Sequence, residues 1–100
     1  MGGGKSPRHE EAAVTTTGTV RYWAAAKAAA GTAEEPYAAA TLAEALDAAR
    51  TAHATDPEFG RVLLRCSFLV DGVQVGSRDH AQVPLSQGGT VEVLPPFAGG

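Results

Sequence analysis

Hydrophobic and polar positions alternate first in "TVRYW", residues 19–23, where Val20 and Tyr22 interleave with Thr19, Arg21 and Trp23 in a β-rich composition. That period of two predicts a strand. "AAAKAAAG" follows and predicts a short helix, because alanine is the best helix former and Gly31 can take the left-handed position that ends one. "AEEPYAAA" has the least definite pattern; Pro36 donates no backbone hydrogen bond, so a strand here lies at an edge or starts near that proline. The clearest period of 3.6 comes next. Thr41 and Glu44 form a T-x-x-E capping box, and Leu42, Ala45, Leu46 and Ala49 then fall on one face. Asp47 and Arg50 occupy the opposite face at i, i+3.

"DPEFG" at 56–60 breaks that pattern, and Phe59, Val62, Leu63 and Cys66 predict a further short helical piece. "SFLV", Asp71-Gly72 and "VQV" predict a hairpin, since Asp-Gly adopts the positive φ angles of a type I′ turn. "QGGT" then turns the chain into a last strand, "VEVL". Residues 1–17, Gly-, Thr- and charge-rich without apolar period, read as a mobile, disordered extension ahead of a domain at 18–96, with a flexible tail at 97–100. Strand, short helix, strand, helix, hairpin and terminal strand describe an α+β roll, a mixed sheet wrapped on one main helix. The domain is too short for a doubly wound fold.

Composition qualifies the core. Of 100 residues 44% are apolar, but 20 are alanine, so large hydrophobes are few. The absence of isoleucine and asparagine and six arginines against two lysines point to a GC-rich coding bias. A net charge of −3 argues against nucleic acid and anionic membrane as partners. The single cysteine, Cys66, leaves no internal disulfide or Cys-Cys metal site. Without a membrane-length apolar run or a signal-peptide core, the expected compartment is the cytoplasm.

The side-chain chemistry is sparse. His9, His53 and His80 lack partners at metal-ligand spacing and read as surface histidines. Cys66, at an apolar helical position with no histidine beside it, reads as a small hydrophobe, and Glu34 and Glu35 beside Pro36 read as solvated. "MGGGKS" fits a myristoylation pattern that any glycine run satisfies, and its "GKS" lacks the upstream glycine and strand of a phosphate loop. No serine stands in a G-x-S-x-G elbow. The chain is therefore not expected to be an enzyme on its own.

Attention moves to "LPPFAGG", residues 94–100. Two glycines without side chains can thread a narrow channel and bring an α-carboxylate to another protein's catalytic centre. "VRYWAAAKAAAG", "TLAEALDAAR", "SFLVDGVQV" and "VEVLPPFAGG", together spanning about residues 19–100, resemble the small subunit of molybdopterin synthase, a ubiquitin-like β-grasp sulfur carrier. The 17 leading residues are extra, and Trp23 stands where that family usually has phenylalanine. By that resemblance Gly100, preceded by Gly99, is adenylated by a ubiquitin-activating-type adenylyltransferase/sulfurtransferase and converted to a thiocarboxylate. The large synthase subunit then uses it to put sulfur on cyclic pyranopterin in molybdenum cofactor biosynthesis. No cofactor is expected on the chain itself; ATP is consumed by the activating enzyme. Pro95 and Pro96 stiffen the stem, Phe97 anchors it, and Val93 and Leu94, with Val91, are expected to form a docking edge for the large subunit. Sulfur carriers for thiamine, cysteine or secondary metabolites, and a ubiquitin-like protein modifier, begin with the same adenylate and remain open at this point.

Overall fold

The structure, a computed structural model, describes residues 15–96. Among them are β1 (Thr16–Tyr22), α1 (Ala24–Ala30), β2 (Glu34–Ala39), α2 (Leu42–Ala52), α3 (Pro57–Arg65), β3 (Ser67–Val70), β4 (Val73–Gln74), a 3-10 turn at His80–Gln82, and β5 (Gly89–Leu94). The strands form one sheet in the order β2-β1-β5-β3-β4. β1 runs parallel to β5, and every other pairing is antiparallel, so the sheet is mixed. This is the expected α+β, β-grasp roll.

Alternation places the core. Val20 and Tyr22 of β1, Tyr37 and Ala39 of β2, Phe68 and Val70 of β3 and Val91 and Val93 of β5 face inward and are buried. Leu42, Ala45, Leu46 and Ala49 of α2 meet them, the face that the 3.6-residue period marks out. The capping box forms with one change of partner. Thr41 Oγ1 accepts the Glu44 N–H at 3.3 Å, whereas the Glu44 carboxylate reaches past Thr41 to accept the N–H of Ala40 at 2.9 Å. Arg50 and Asp47 pair at 2.7 Å on the outer face. α3 starts as its sequence dictates: Asp56 accepts the Glu58 N–H at 3.0 Å, Pro57 opens the helix, and Phe59 and Leu63 fill the core.

Two close approaches fix the sheet's middle. A Cβ on Gly18 would lie 2.5 Å from the carbonyl oxygen of Gly89 and collide with the Tyr37 ring, so only glycine lets β1 meet β5 and β2 here. The β3–β4 turn has φ of 52° at Asp71 and 82° at Gly72, the two positive angles of the expected type I′ geometry.

Several expectations need correction. β1 begins at Thr16, so residues 16 and 17, assigned above to the extension, pair with Ala39 and Ala38 of β2. The Thr16 hydroxyl also donates to the Ala39 carbonyl at 2.8 Å, a tertiary contact invisible to local pattern. β2 is an edge strand containing Pro36, as the proline requires. β5, by contrast, lies inside the sheet between β1 and β3 and is not an edge.

Candidate functional site

β5 delivers the chain to Pro95-Pro96, and its position decides what can be reached there. Val91 and Val93 are fully buried and cannot line a docking edge, which corrects that assignment for Val93; strand alternation turns both side chains into the core. Leu94 is half-buried on the opposite face, in register with Ser67 of β3. Phe97, Gly99 and Gly100 lie outside the described residues.

Beside the stem is a groove of about 410 Å³ lined by Trp23, Ala24, Ala25, Ser67, Leu94, Pro95 and Pro96. Its largest side chain is Trp23, which is 43% exposed. Trp23 directly follows β1 and stands at the N-cap of α1: its N–H donates to the Val93 carbonyl at 3.2 Å, and its indole N–H donates to the Glu92 carboxylate at 3.1 Å. The next residue, Ala24, has a φ of 50°, a region alanine disfavours, so the backbone is strained at the groove's floor. Leu94, Pro95 and Pro96 are thus brought together with Trp23, whose exposed outer position the alternation in "TVRYW" already indicates.

A second polar group occurs where none was expected. Tyr22 Oη donates to Glu35 at 2.7 Å, and His53 Nε2 lies 2.9 and 3.0 Å from the same carboxylate. The His53 ring stacks on Phe59 with centroids 4.2 Å apart and meets Tyr22 edge-on. The His53 side chain is only 14% exposed, so the surface reading of His53 and the solvated reading of Glu35 are both corrected. Glu34 is paired as well, with Arg21 across the β1–β2 ladder at 2.8 Å. Burial first, then the hydrogen bond and charge of Glu35, hold the Tyr22 phenol well above its ordinary range. The cluster borders a cleft of about 370 Å³ between β2 and α2, opened by the small side chains of Ala45, Ala48, Ala49 and Ala52.

His80 is half-buried with its ring edge-on to Phe68 at 5.3 Å, and is not a free surface histidine. Cys66 caps the end of α3 in an extended conformation instead of lying within a helix, but it packs against the core as the small hydrophobe expected. Its thiol donates to the Val62 carbonyl at 3.2 Å, and burial pushes its pKa up to about 11, away from the thiolate a nucleophile needs. Among the described residues, no group of three or more His, Cys, Asp or Glu side chains is placed to hold a metal, and no helix is long and apolar enough to cross a membrane.

The groove and proline stem are the described features that immediately precede residues 97–100 in the chain. The ThiS family pattern matches residues 20–100, which takes in the whole stem and "FAGG". No curated protein matches the chain. Among solved structures, the chain is similar to small archaeal modifier protein 1 of Methanosarcina acetivorans, at 19% identity and TM-score 0.71 over 87% of this chain and 99% of that one. It is similar to the SAMP1 protein of Haloferax volcanii, at 22% identity and TM-score 0.67 over 84% and 99%. It also resembles a chain in the complex of subunits 1 and 2 of molybdopterin-converting factor from Helicobacter pylori, at 21% identity and TM-score 0.59 over 85% and 100%. At such identities these likenesses speak for the β-grasp fold, and the family match speaks for the lineage. With its sheet order, its capped main helix and a pattern matched through Gly100, the chain belongs to the ThiS family of ubiquitin-like sulfur carriers.

Proposed function

We propose that this protein is the sulfur-donating small subunit of a molybdopterin synthase. The observation that carries the reading is the family match running through Gly100, so that Pro95-Pro96-Phe97-Ala98-Gly99-Gly100 falls within the carriers' own pattern. The tail's chemistry follows from its ionisation. A free α-carboxylate is charged at neutral pH and is a poor electrophile, so it must be activated before sulfur can enter. The Gly100 carboxylate attacks the α-phosphorus of ATP and releases pyrophosphate; a hydrosulfide equivalent then displaces AMP and leaves a thiocarboxylate. Transfer of that sulfur to cyclic pyranopterin returns Gly100 as a carboxylate, with water supplying the oxygen.

The activating enzyme supplies the ATP site and the large subunit the catalytic groups; this chain supplies reach. Residues 97–100 extended span at most ~13–14 Å. Pro95 and Pro96 fix φ and so reduce the freedom lost on insertion, roughly 1–2 kcal/mol per ordered residue. The Helicobacter pylori complex of subunits 1 and 2 supports a larger partner subunit of this kind. Likeness to two archaeal modifier proteins favours a second reading, in which the same adenylate is passed to lysines as an isopeptide bond.

Mass spectrometry of the protein purified from its own host separates these. A thiocarboxylated intact chain supports sulfur transfer, and lysine conjugates support modification. The thiocarboxylate, mixed with a synthase large subunit and cyclic pyranopterin, is expected to yield the dithiolene product. Turnover only with a thiazole- or cysteine-forming partner would reassign the pathway.

A further inference from the structure

Glu92 contributes nothing to the core. It faces outward on β5, in register with Arg21 of β1 and Leu69 of β3. Arg21 is the nearest ionic partner by register, yet its guanidinium turns to the other side and donates twice to Glu34, at 3.0 and 2.8 Å. Glu92 instead accepts the indole N–H of Trp23 at 3.1 Å. Trp23 is thereby tied to β5 at two points, one main-chain and one side-chain. A positive φ at Ala24 and a large, 43% exposed aromatic ring are both unfavourable unless something holds them in place. The ring they hold shares its groove with Leu94, Pro95 and Pro96.

We propose that Glu92 is a positioning residue for the stem: by accepting the Trp23 indole N–H it fixes the ring beside Leu94-Pro95-Pro96, and so fixes the direction in which the chain leaves the sheet. The proposal rests on reading residues 97–100 as a carrier tail. A stem already oriented loses less freedom when the tail enters a channel, so the benefit falls on binding and not on the chemistry. Phenylalanine at 23 would occupy similar space but has no donor, which makes the Glu92 link specific to tryptophan.

The single tryptophan gives one indole N–H signal in the full chain, so its ¹⁵N order parameter can be read without ambiguity. In the wild type and in Glu92→Gln, which keeps an acceptor oxygen, it is expected near ~0.85; in Glu92→Ala it is expected to fall below about 0.6. In ATP–pyrophosphate exchange with a ubiquitin-activating-type enzyme, Glu92→Ala is expected to raise KM for this chain about 3- to 10-fold, the scale of one hydrogen bond, with kcat and the Gln variant little changed. On a Trp23→Phe background, Glu92→Ala should add nothing. A rigid indole in Glu92→Ala, a mobile one in the wild type, or a Gln variant as impaired as Ala would each overturn the proposal. If the wild type is not adenylated at all, the carrier reading fails, while the order parameters still decide whether Glu92 holds the ring.

Discussion

At the scale of single residues, a few polar groups bridge elements at the margin of the apolar core. The Tyr22–Glu35–His53 cluster joins β1, β2 and the end of α2. Asp71 does the same at the other end of the sheet: its carboxylate accepts the Thr90 N–H at 2.9 Å and the Ser86 hydroxyl at 3.0 Å, tying the β3–β4 turn to the start of β5. Asp71→Ala removes both bonds and puts alanine at positive φ, so a loss of about 1–3 kcal/mol is expected in urea unfolding. An unchanged midpoint would show that solvent replaces the carboxylate. The raised pKa values give a pH dependence. Burial lifts the Cys66 thiol from 9.0 to about 11, and burial with Glu35 lifts Tyr22 above its ordinary 10.0. Each unfolded group releases its proton first, so the stability they contribute is complete below about pH 9 and is lost as pH rises, through about 11 for Cys66 and higher for Tyr22. Urea midpoints are expected to fall from pH 9 to 11, less steeply in Cys66→Ala; a flat profile would contradict both shifts.

At the scale of elements, α3 shows local signals agreeing with tertiary need except at one position. Asp56 caps it, Pro57 opens it, and Phe59 and Leu63 are buried, but Gly60 lies in its interior with open space where a Cβ would project. Gly60→Ala is expected to stabilise the protein by about 0.8–1 kcal/mol through helix propensity alone. A lower urea midpoint would mean that the helix needs its glycine for a reason that packing does not reveal. α1 is the reverse case. Seven residues are too few for an isolated helix, and α1 is held by packing on α3 and by the Gly31 cap, whose N–H donates to Lys27 at 2.9 Å.

At the scale of the whole molecule, the position of β5 separates folding from function. β1 pairs with it from Gly89 to Val93 and β3 from Val91 to Leu94, so the stem leaves an interior strand. Changes beyond Pro96 should therefore leave stability alone. Gly99→Ala, or a residue added after Gly100, is expected to abolish or strongly reduce sulfur transfer with an unchanged urea midpoint. A permanently tagged chain that still supports cofactor synthesis would remove the tail from the mechanism.

Elements whose signals are local could be read before any pairing was known. These include the T-x-x-E box and 3.6-residue face of α2, the Asp-Gly turn, the Gly31 cap, and the edge position that Pro36 demands. Pro95 and Pro96 directly after the last strand were legible in the same way, because proline acts through a backbone conformation that needs no neighbour to be read. Tertiary structure decided what depends on pairing. Thr16 and Thr17 became strand because Ala39 and Ala38 lie opposite them. Val93 became core because its face of β5 turns inward, and Glu35 and His53, 18 positions apart, became partners when β2 and α2 packed together. The bond from Trp23 to Glu92 spans 69 positions and exists only because β1 and β5 run parallel and adjacent. A local pattern carries no record of which distant residue will stand beside it, and the Tyr22–Glu35–His53 and Trp23–Glu92 contacts were made across such distances.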